Sequence, residues 1–520
     1  MIPVLDARAM RLADADTIRG GTAGDDLMEN AAAALCERLR RAHSGWRRVA
    51  VVCGPGNNGG DGLAAARMLA LSGTSVSVFT LRDASSYAGD AGRNAERARA
   101  VGIPLVSLKD PRAFAGMRRA LADSDGVIDA LFGTGLTRPL AGSARRAVAA
   151  INAAHRPVVS ADLPSGLSAD SGALLGLAVH ASETVGFGAP KPCHVLPPAS
   201  GFCGRVVVAD IGIARETLAR RAGRFWLVEA ADILSLLPAR PLDSHKADFG
   251  RLAVIAGSRG KAGAAILAAR GALRGGAGLV TVFCAESLAP LIVGALPEAM
   301  TFGLPESGGA LAEAGARDLV SELRGFDAAV VGPGLGTSRG TVGLLEVLLR
   351  GTHLPLVVDA DGLNGFEGRP ELFAGHRGPI VLTPHPGEAG RLLGLTSNAV
   401  QSDRLGAARA LARRSRAVAI LKGAHSLVAS LSGEVLVNPT GTPLLSTAGS
   451  GDVLAGLIGA LLAGGLSGRD AAMAGAWLHG AAAQALAPAL GDAGLLAHEV
   501  ADVIPSVRAS LRLPPRRDDE

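Results

Sequence analysis

The stretch VAVVCGPGNNGGDGLAAARMLA, Val49–Ala70, passes from β-branched residues through a glycine-rich turn into an alanine- and leucine-rich helical pattern. Val49–Cys53 reads as a buried strand and Asp61–Ser72 as a helix. Strand, glycine turn and helix form the repeating unit of a parallel sheet covered by helices. The unit recurs: Val76–Leu81, Gly126–Ala130 and Pro157–Ala161 read as strands, with helices at Ala91–Gly102 and Ser143–Ala154. The pattern loosens over Ala209–Arg224 and passes through LPARPLDSH (Leu237–His245), whose two prolines suit an entry loop. A second series follows at Leu252–Ala256, Leu279–Phe283, Ala328–Val331, Pro355–Asp359, Pro379–Thr383 and Ala417–Leu421. Such near-continuous apolar strands imply sheets buried on both faces. The chain therefore reads as two α/β domains, 1–220 and 221–513, with residues 514–520 expected to be a disordered tail.

Composition narrows the function. Of 520 residues, 48% are hydrophobic and 19% charged, which excludes a disordered chain. With 12 Phe, 3 Trp and 1 Tyr there is little for base-stacking platforms or membrane belts, so neither nucleic acid nor a membrane is expected as partner. A net charge of +5 over this length is too dilute for a polyphosphate-binding surface. None of the five cysteines forms a C-x-x-C pair, and MIPVLDARAM does not read as a signal peptide, so free thiols in a reducing cytoplasm are expected. Ala471–Gly491 lacks acidic and basic residues, but its alanine content with His479, Gln484 and Pro488 reads as a buried helix of a water-soluble protein.

Gly54, Gly56 and Gly59 of GPGNNGGDG satisfy G-x-G-x-x-G, a turn that aims backbone N–H groups at an anion. Taken literally the pattern is that of a dehydrogenase; the plainer reading is a structural turn. Two details count against hydride chemistry. Asn57 and Asn58 put side-chain amides where a plain dinucleotide turn needs none, and Asp83, after Arg82, is a poor ribose clamp. Asp129 ends a strand and leads into LFGTGLTRP, and Asp162 ends the next in ADLPSGLSADSG. A carboxylate at such a strand end can act as general base, and Ser165 with nearby carbonyls can ligate a hard cation, although either acid alone could simply cap the next segment. Lys191 in GAPKP follows a further strand and reads most simply as a surface lysine.

The second half is organised around STAGSGDVLAG, Ser446–Gly456. Gly449 and Gly451 allow close backbone approach, and Val453–Ala463 reads as a helix whose N-terminus would receive phosphate. Asp452 stands beside that anion site, placed to deprotonate a hydroxyl attacking a phosphoryl group; the plainer reading is an N-cap. Companion motifs strengthen the chemical reading: GSRGKAGAA (Gly257–Ala265), GPGLG (Gly332–Gly336), DADGLN (Asp359–Asn364), TPHPGE (Thr383–Glu388) and KGAHS (Lys422–Ser426). His385 sits between two prolines, which stiffen its backbone.

GPGNNGGDG, DALFGTGL, DLPSGL with the following ADSG, and Met28-Glu29-Asn30-Ala31 resemble the NAD(P)H-hydrate epimerase domain, a Rossmann-like three-layer fold, over about residues 1–215. The resemblance implies that Asn57, Asn58, Gly59, Gly60 and Asp61, with Gly133, Thr134, Gly135, Leu136, Thr137, Arg138 and Pro139, hold the hydrated dinucleotide. It implies a catalytic contact from Asp162 and a potassium site at Asn58, Asp129 and Ser165. From HKADFGR (His245–Arg251) to about residue 510 the motifs resemble ADP-dependent NAD(P)H-hydrate dehydratase, a ribokinase-like domain. Ala247 stands where that family prefers glycine, and Thr447-Ala448-Gly449 where it has a small residue and two glycines. By this resemblance Ala264, Gly334, His385 and Asp452 contact the hydrate, while Lys422, Gly423, Ala424, His425, Ser426 and Gly451 hold the nucleotide.

The order of the two resemblances is that of bifunctional NAD(P)H-hydrate repair enzymes. It implies NADHX and NADPHX as substrates, interconversion of their R and S forms in the first domain, and dehydration of the S form in the second with ADP, Mg²⁺ and Asp452 as base. A homo-oligomer is expected. The alternatives left open are a ribokinase-like small-molecule kinase fused to a dinucleotide-binding module, a hydride-transferring dehydrogenase, and a first domain that binds without catalysing.

Overall fold

The computed structural model describes residues 1–237 and 239–512; the expected tail at 514–520 lies outside them. The chain forms two compact units that part between Phe225 and Trp226. Each is α/β, as read from the sequence.

In the first unit seven parallel strands run β1 (Arg48–Cys53), β2 (Ser75–Thr80), β3 (Leu105–Ser107), β4 (Gly126–Ala130), β5 (Val158–Ala161), β6 (Glu183–Phe187) and β7 (Arg205–Ala209). Their order across the sheet is 3-2-1-4-5-6-7. The chain winds one way from β1 to β3 and the other way from β4 onward. The crevice at the carboxyl ends of β1 and β4 is therefore the switch point where such sheets take ligands. The central strands are buried on both faces: Val49–Cys53 and Gly126–Ala130 are wholly inside. The helix after β1 spans Asn57–Leu71, beginning at Asn57 rather than Asp61, so the two asparagines form its first turn.

The second unit repeats the rule. β8 (Arg251–Ile255), β9 (Leu279–Ala285), β10 (Met300–Leu304), β11 (Ala328–Val331), β12 (Leu356–Val358), β13 (Ile380–Leu382), β14 (Val418–Leu421), β15 (Leu427–Ala429) and β16 (Val435–Val437) lie in one sheet. Their order is 16-15-14-13-12-11-8-9-10, parallel from β10 to β14 and continued by antiparallel β15 and β16. The switch point lies between β8 and β11. Helix Ser450–Ala463 is buried from Val453 to its end, and a Cβ at Gly456 would sit 1.8 Å from Ala268 O. Only glycine permits that approach to helix Ala262–Gly275. Helix Gly468–Leu490 contains the alanine-rich stretch. Among the described residues no helix is long and apolar enough to cross a membrane.

Candidate active sites

At the first switch point lies a cavity of about 530 Å³. Its wall takes Asn57, Asn58 and Asp61 from the helix after β1, Leu131–Leu136 from the loop after β4, Asp162 after β5, and Phe187 and Lys191 after β6. These contributions come from strand carboxyl ends, and helices Ala7–Arg19 and Gly24–Ala42 complete the wall. Of the residues expected here, the lining includes Asn57, Asn58, Asp61, Gly133, Thr134, Gly135, Leu136 and Asp162, and it stops before Thr137, Arg138 and Pro139. Gly59 and Gly60 instead pack inward, against Gly54 O and Met28 Sδ.

Asp162 is held with unusual firmness. Its φ of +65° is left-handed, a strained conformation for a residue with a Cβ. Its N–H donates to Val185 O at 2.8 Å, and its C=O accepts from His194 Nε2 at 2.9 Å. His194 Nδ1 accepts from Lys191 N, which leaves the proton on Nε2. Burial first, and Lys191 second, hold this imidazole down to about 4, so it is neutral. Asp162 Oδ1 accepts from Lys191 Nζ at 2.5 Å and from Phe187 N at 3.3 Å. Lys191 is 1% exposed, so its reading as a surface lysine is corrected: it is the buried counter-ion of Asp162. Pro190 and Pro192 on either side were the usable signal. Asp61, buried beside Asp162 and Asp14, is pushed well above the usual carboxylate range by desolvation.

Asp129 lies out of contact with solvent, behind the loop it supports. Its Oδ1 accepts from Ser165 Oγ (2.7 Å) and Leu131 N (3.2 Å), and its Oδ2 from Ser165 N (2.8 Å) and Ser160 Oγ (3.0 Å). Ser165 Oγ in turn accepts from Phe132 N at 2.9 Å. Neither residue lines the cavity; both fix Leu131 and Phe132 from behind. Asn58 differs: it is 9% exposed, and among the described residues neither polar atom of its amide has a partner. A Cβ at Gly133 would lie 3.2 Å from Asn58 Oδ1 and 3.1 Å from Asp162 Oδ2, so both oxygens converge on this glycine. Asp14, from helix Ala7–Arg19, also lines the cavity, and nothing in its local sequence set it apart.

In the second unit a cavity of about 580 Å³ is lined by His385, Lys422–Ser426, Asn438, Thr440, Ser450, Gly451 and His479 among others. It gathers the whole expected nucleotide set with His385. Gly449 has φ +88° and is the N-cap of helix Ser450–Ala463. A Cβ at Gly451 would stand 3.3 Å from Lys422 Nζ and 3.7 Å from Asp359 Oδ2, so the helix N-terminus meets an ion pair. That pair is Lys422 Nζ–Asp359 Oδ1 at 2.8 Å, with Glu388 Oε2 at 3.9 Å from the same ammonium. Asp452 follows Gly451. Desolvation, then the charge of Asp359, pushes its carboxyl up to about 7, while Lys422 opposes them.

His385 Nδ1 accepts from Gly387 N (3.0 Å) and Glu388 N (3.3 Å), capping helix Pro386–Leu393. Burial, then Lys422, lowers the imidazole's proton affinity, so it presents a neutral ring with Nε2–H. Ala264 and Gly334 face each other: a Cβ at Gly334 would lie 2.9 Å from that of Ala264. Asp361 Oδ2 accepts from Lys261 Nζ (3.0 Å) and Gly336 N (2.8 Å), tying the glycine turns after β8 and β11 together. Sequence reasoning did not assign Glu388, Lys261 or His479 to this site. The Nε2 of His479 is buried without a partner among the described residues, and burial lowers that ring to about 4.

The family model for NAD(P)H-hydrate dehydratase matches residues 252–506, and that for the YjeF-related protein N-terminus matches residues 24–193. The bifunctional NAD(P)H-hydrate repair enzyme Nnr of Moorella thermoacetica is 41% identical over 489 residues, 93% of this chain and 92% of that protein. Its counterpart in Thermofilum pendens is 39% identical over 494 residues, 95% of this chain and 93% of that one. A crystal structure of the ADP/ATP-dependent NAD(P)H-hydrate dehydratase from Bacillus subtilis, co-crystallized with ATP/Mg²⁺, is 31% identical with a TM-score of 0.50. That match covers 55% of this chain and 99% of that chain. With two such relatives aligned along nearly its whole length, the chain belongs to the family of bifunctional NAD(P)H-hydrate repair enzymes.

Proposed function

We propose that the first unit interconverts the R and S forms of NADHX and NADPHX, and that the second dehydrates the S form at the expense of ADP. The observation that carries this reading is Asp452: a carboxyl at about 7, one residue past Gly451, at a helix N-terminus that meets the Lys422–Asp359 pair. A base near neutrality beside an anion-binding helix end suits phosphoryl transfer to a hydroxyl. Asp452 takes the proton from the C6 hydroxyl, whose oxygen forms a bond to the β-phosphorus of ADP as AMP leaves. Phosphate then departs from C6 as a proton is lost from C5, restoring the C5=C6 bond. Hydroxide leaves poorly and phosphate leaves well, which gives a dehydration its reason to use a nucleotide. Lys422 and the N–H groups from Gly423 to Ser426 bind phosphate charge.

Among the described residues no cluster of three or more acids, histidines or cysteines is spaced to hold a metal ion. Magnesium fits as an ion carried by the nucleotide's phosphates and steadied by one or two carboxylates. Asp359 Oδ2, which accepts no hydrogen bond among the described residues, is the oxygen available to it. When bound it would neutralise phosphate charge. For potassium in the first unit, the unpartnered amide of Asn58 is the fitting ligand. Ser165 and Asp129, engaged with each other and with the loop, support the carbonyls beside it.

The test is to supply the S form with ADP and follow NADH, AMP and phosphate together. Equal amounts of all three are expected. A stable phosphorylated product without NADH would instead favour a small-molecule kinase.

A further inference from the structure

The first cavity is rich in acidic side chains. Four carboxyls line it: Asp14, Asp61, Asp90 and Asp162. Asp90 is ion-paired to Arg93, and Asp162 carries Lys191 and Phe187 N on one oxygen. Asp61 is 8% exposed, and burial pushes its carboxyl well above the usual range. Asp14 is different. On helix Ala7–Arg19, Met10, Arg11, Asp14 and Ile18 recur at helical spacing and turn one face to the cavity. No hydrogen bond to the Asp14 carboxyl is found among the described residues, and Lys191 and Asp162 both lie within its electrostatic reach. The same wall carries the unpartnered amide of Asn58, a second sign that this surface is built for a ligand.

We propose that Asp14 is the second proton-transfer residue of the interconversion, donating to the C6 hydroxyl as it leaves while Asp162 accepts from the water that replaces it. The proposal rests on the reading of the first unit as an epimerase. The C6 hydroxyl of the hydrate stands on a carbon bonded to the ring nitrogen N1. The N1 lone pair forms a C6=N1⁺ bond, the C6–O bond breaks, and the oxygen takes the Asp14 proton and departs as water. Water adds to the opposite face, a C6–O bond forms, the C6=N1 electrons return to nitrogen, and the excess proton passes to Asp162. Exchange with solvent restores both carboxyls. In the reverse direction the two residues trade roles. Two acids in unlike environments are what such a pair needs: Asp162 is fixed by Lys191, whereas burial raises Asp14 to about 6, with Lys191 opposing and Asp162 adding.

The experiment uses the full chain with Asp14→Asn and Asp14→Glu, measuring R-to-S interconversion and S-form dehydration in the same preparations. Asp14→Asn should lower the interconversion kcat by about 100-fold with KM nearly unchanged, while dehydration and thermal midpoint stay at wild-type levels. Asp14→Glu should recover a substantial part of the loss, which also covers a failure of the asparagine variant to fold. A kcat within threefold of wild type in Asp14→Asn, a change confined to KM, or a folded Asp14→Glu no better than Asp14→Asn would each overturn the proposal. If the wild-type chain interconverts nothing, the epimerase reading itself fails, which separates that outcome from failure of Asp14 alone.

Discussion

The two units solve one topological problem with different chemistry. Each places its site where strand order reverses, and each holds a key side chain between prolines after a strand: Pro190-Lys191-Pro192 in the first, Pro384-His385-Pro386 in the second. Each sets a lysine–aspartate pair next to a carboxyl of raised proton affinity: Lys191–Asp162 beside Asp14, Lys422–Asp359 beside Asp452. The difference lies in what faces the pair. In the second unit it is a glycine-led helix N-terminus, Gly449–Asp452, which adds a site for phosphate. In the first, the helix N-terminus after Gly56 also carries the side-chain amide of Asn58, whose oxygen converges with Asp162 Oδ2 on Gly133. One arrangement is built to move a phosphoryl group, the other to move protons.

The largest effect that would sharpen this contrast is Asp452→Asn. Loss of the base should slow S-form dehydration by ~10²–10⁴-fold and leave R-to-S interconversion untouched. Near-normal dehydration would remove Asp452 from the mechanism. Next comes Lys191→Met, which strands Asp162 among other buried acids. Breaking a buried pair by removing one partner costs about 3–5 kcal/mol, so thermal unfolding of the first unit should shift markedly down. An unchanged midpoint would mean the pair is not structural.

Ligand binding gives a smaller, selective effect. ADP at a hundredfold excess over its Kd should stabilise the second unit by ~2.7 kcal/mol and leave the first unit's transition where it was. Equal shifts in both would show a nucleotide site in each. The smallest effect is in pH dependence. Asp452 must be ionised to act, and its carboxyl is raised to about 7, so dehydration should fall as pH drops below about 7. Desolvation is the main cause of that position and the Asp359 charge the next, so Asp359→Asn should move the limb to lower pH. A limb that stays put would belong to another group.

Most of the architecture was legible because parallel strands buried on both faces must be apolar throughout: the reading Gly126–Ala130 coincides with β4, and Ala328–Val331 with β11. Short strands outside that pattern were lost, such as Leu427–Ala429 and Val435–Val437 of the antiparallel hairpin. Helix Asn57–Leu71 was started late because Asn-Asn-Gly-Gly-Asp has weak helix propensity, overridden here by packing of Gly60 against Met28. Glycine loops marked Asn58, Gly133, Gly451 and Asp452 because backbone approach to an anion leaves a trace in composition. Asp14 and Glu388 left none: an acid on an amphipathic helix or a glutamate in a first turn is ordinary until the fold buries it, and Lys191 was marked only by its flanking prolines.

The central claim is that one chain carries two chemically separate sites, and Asp162→Ala tests it most directly. Wild type and variant would each receive ADP with either the pure S or the pure R form, and NADH would be measured at times short against spontaneous interconversion. Wild type should convert both forms, and the variant should convert S at the wild-type rate but R hardly at all. Equal loss of both activities in a folded variant would contradict it, and so would undiminished use of the R form.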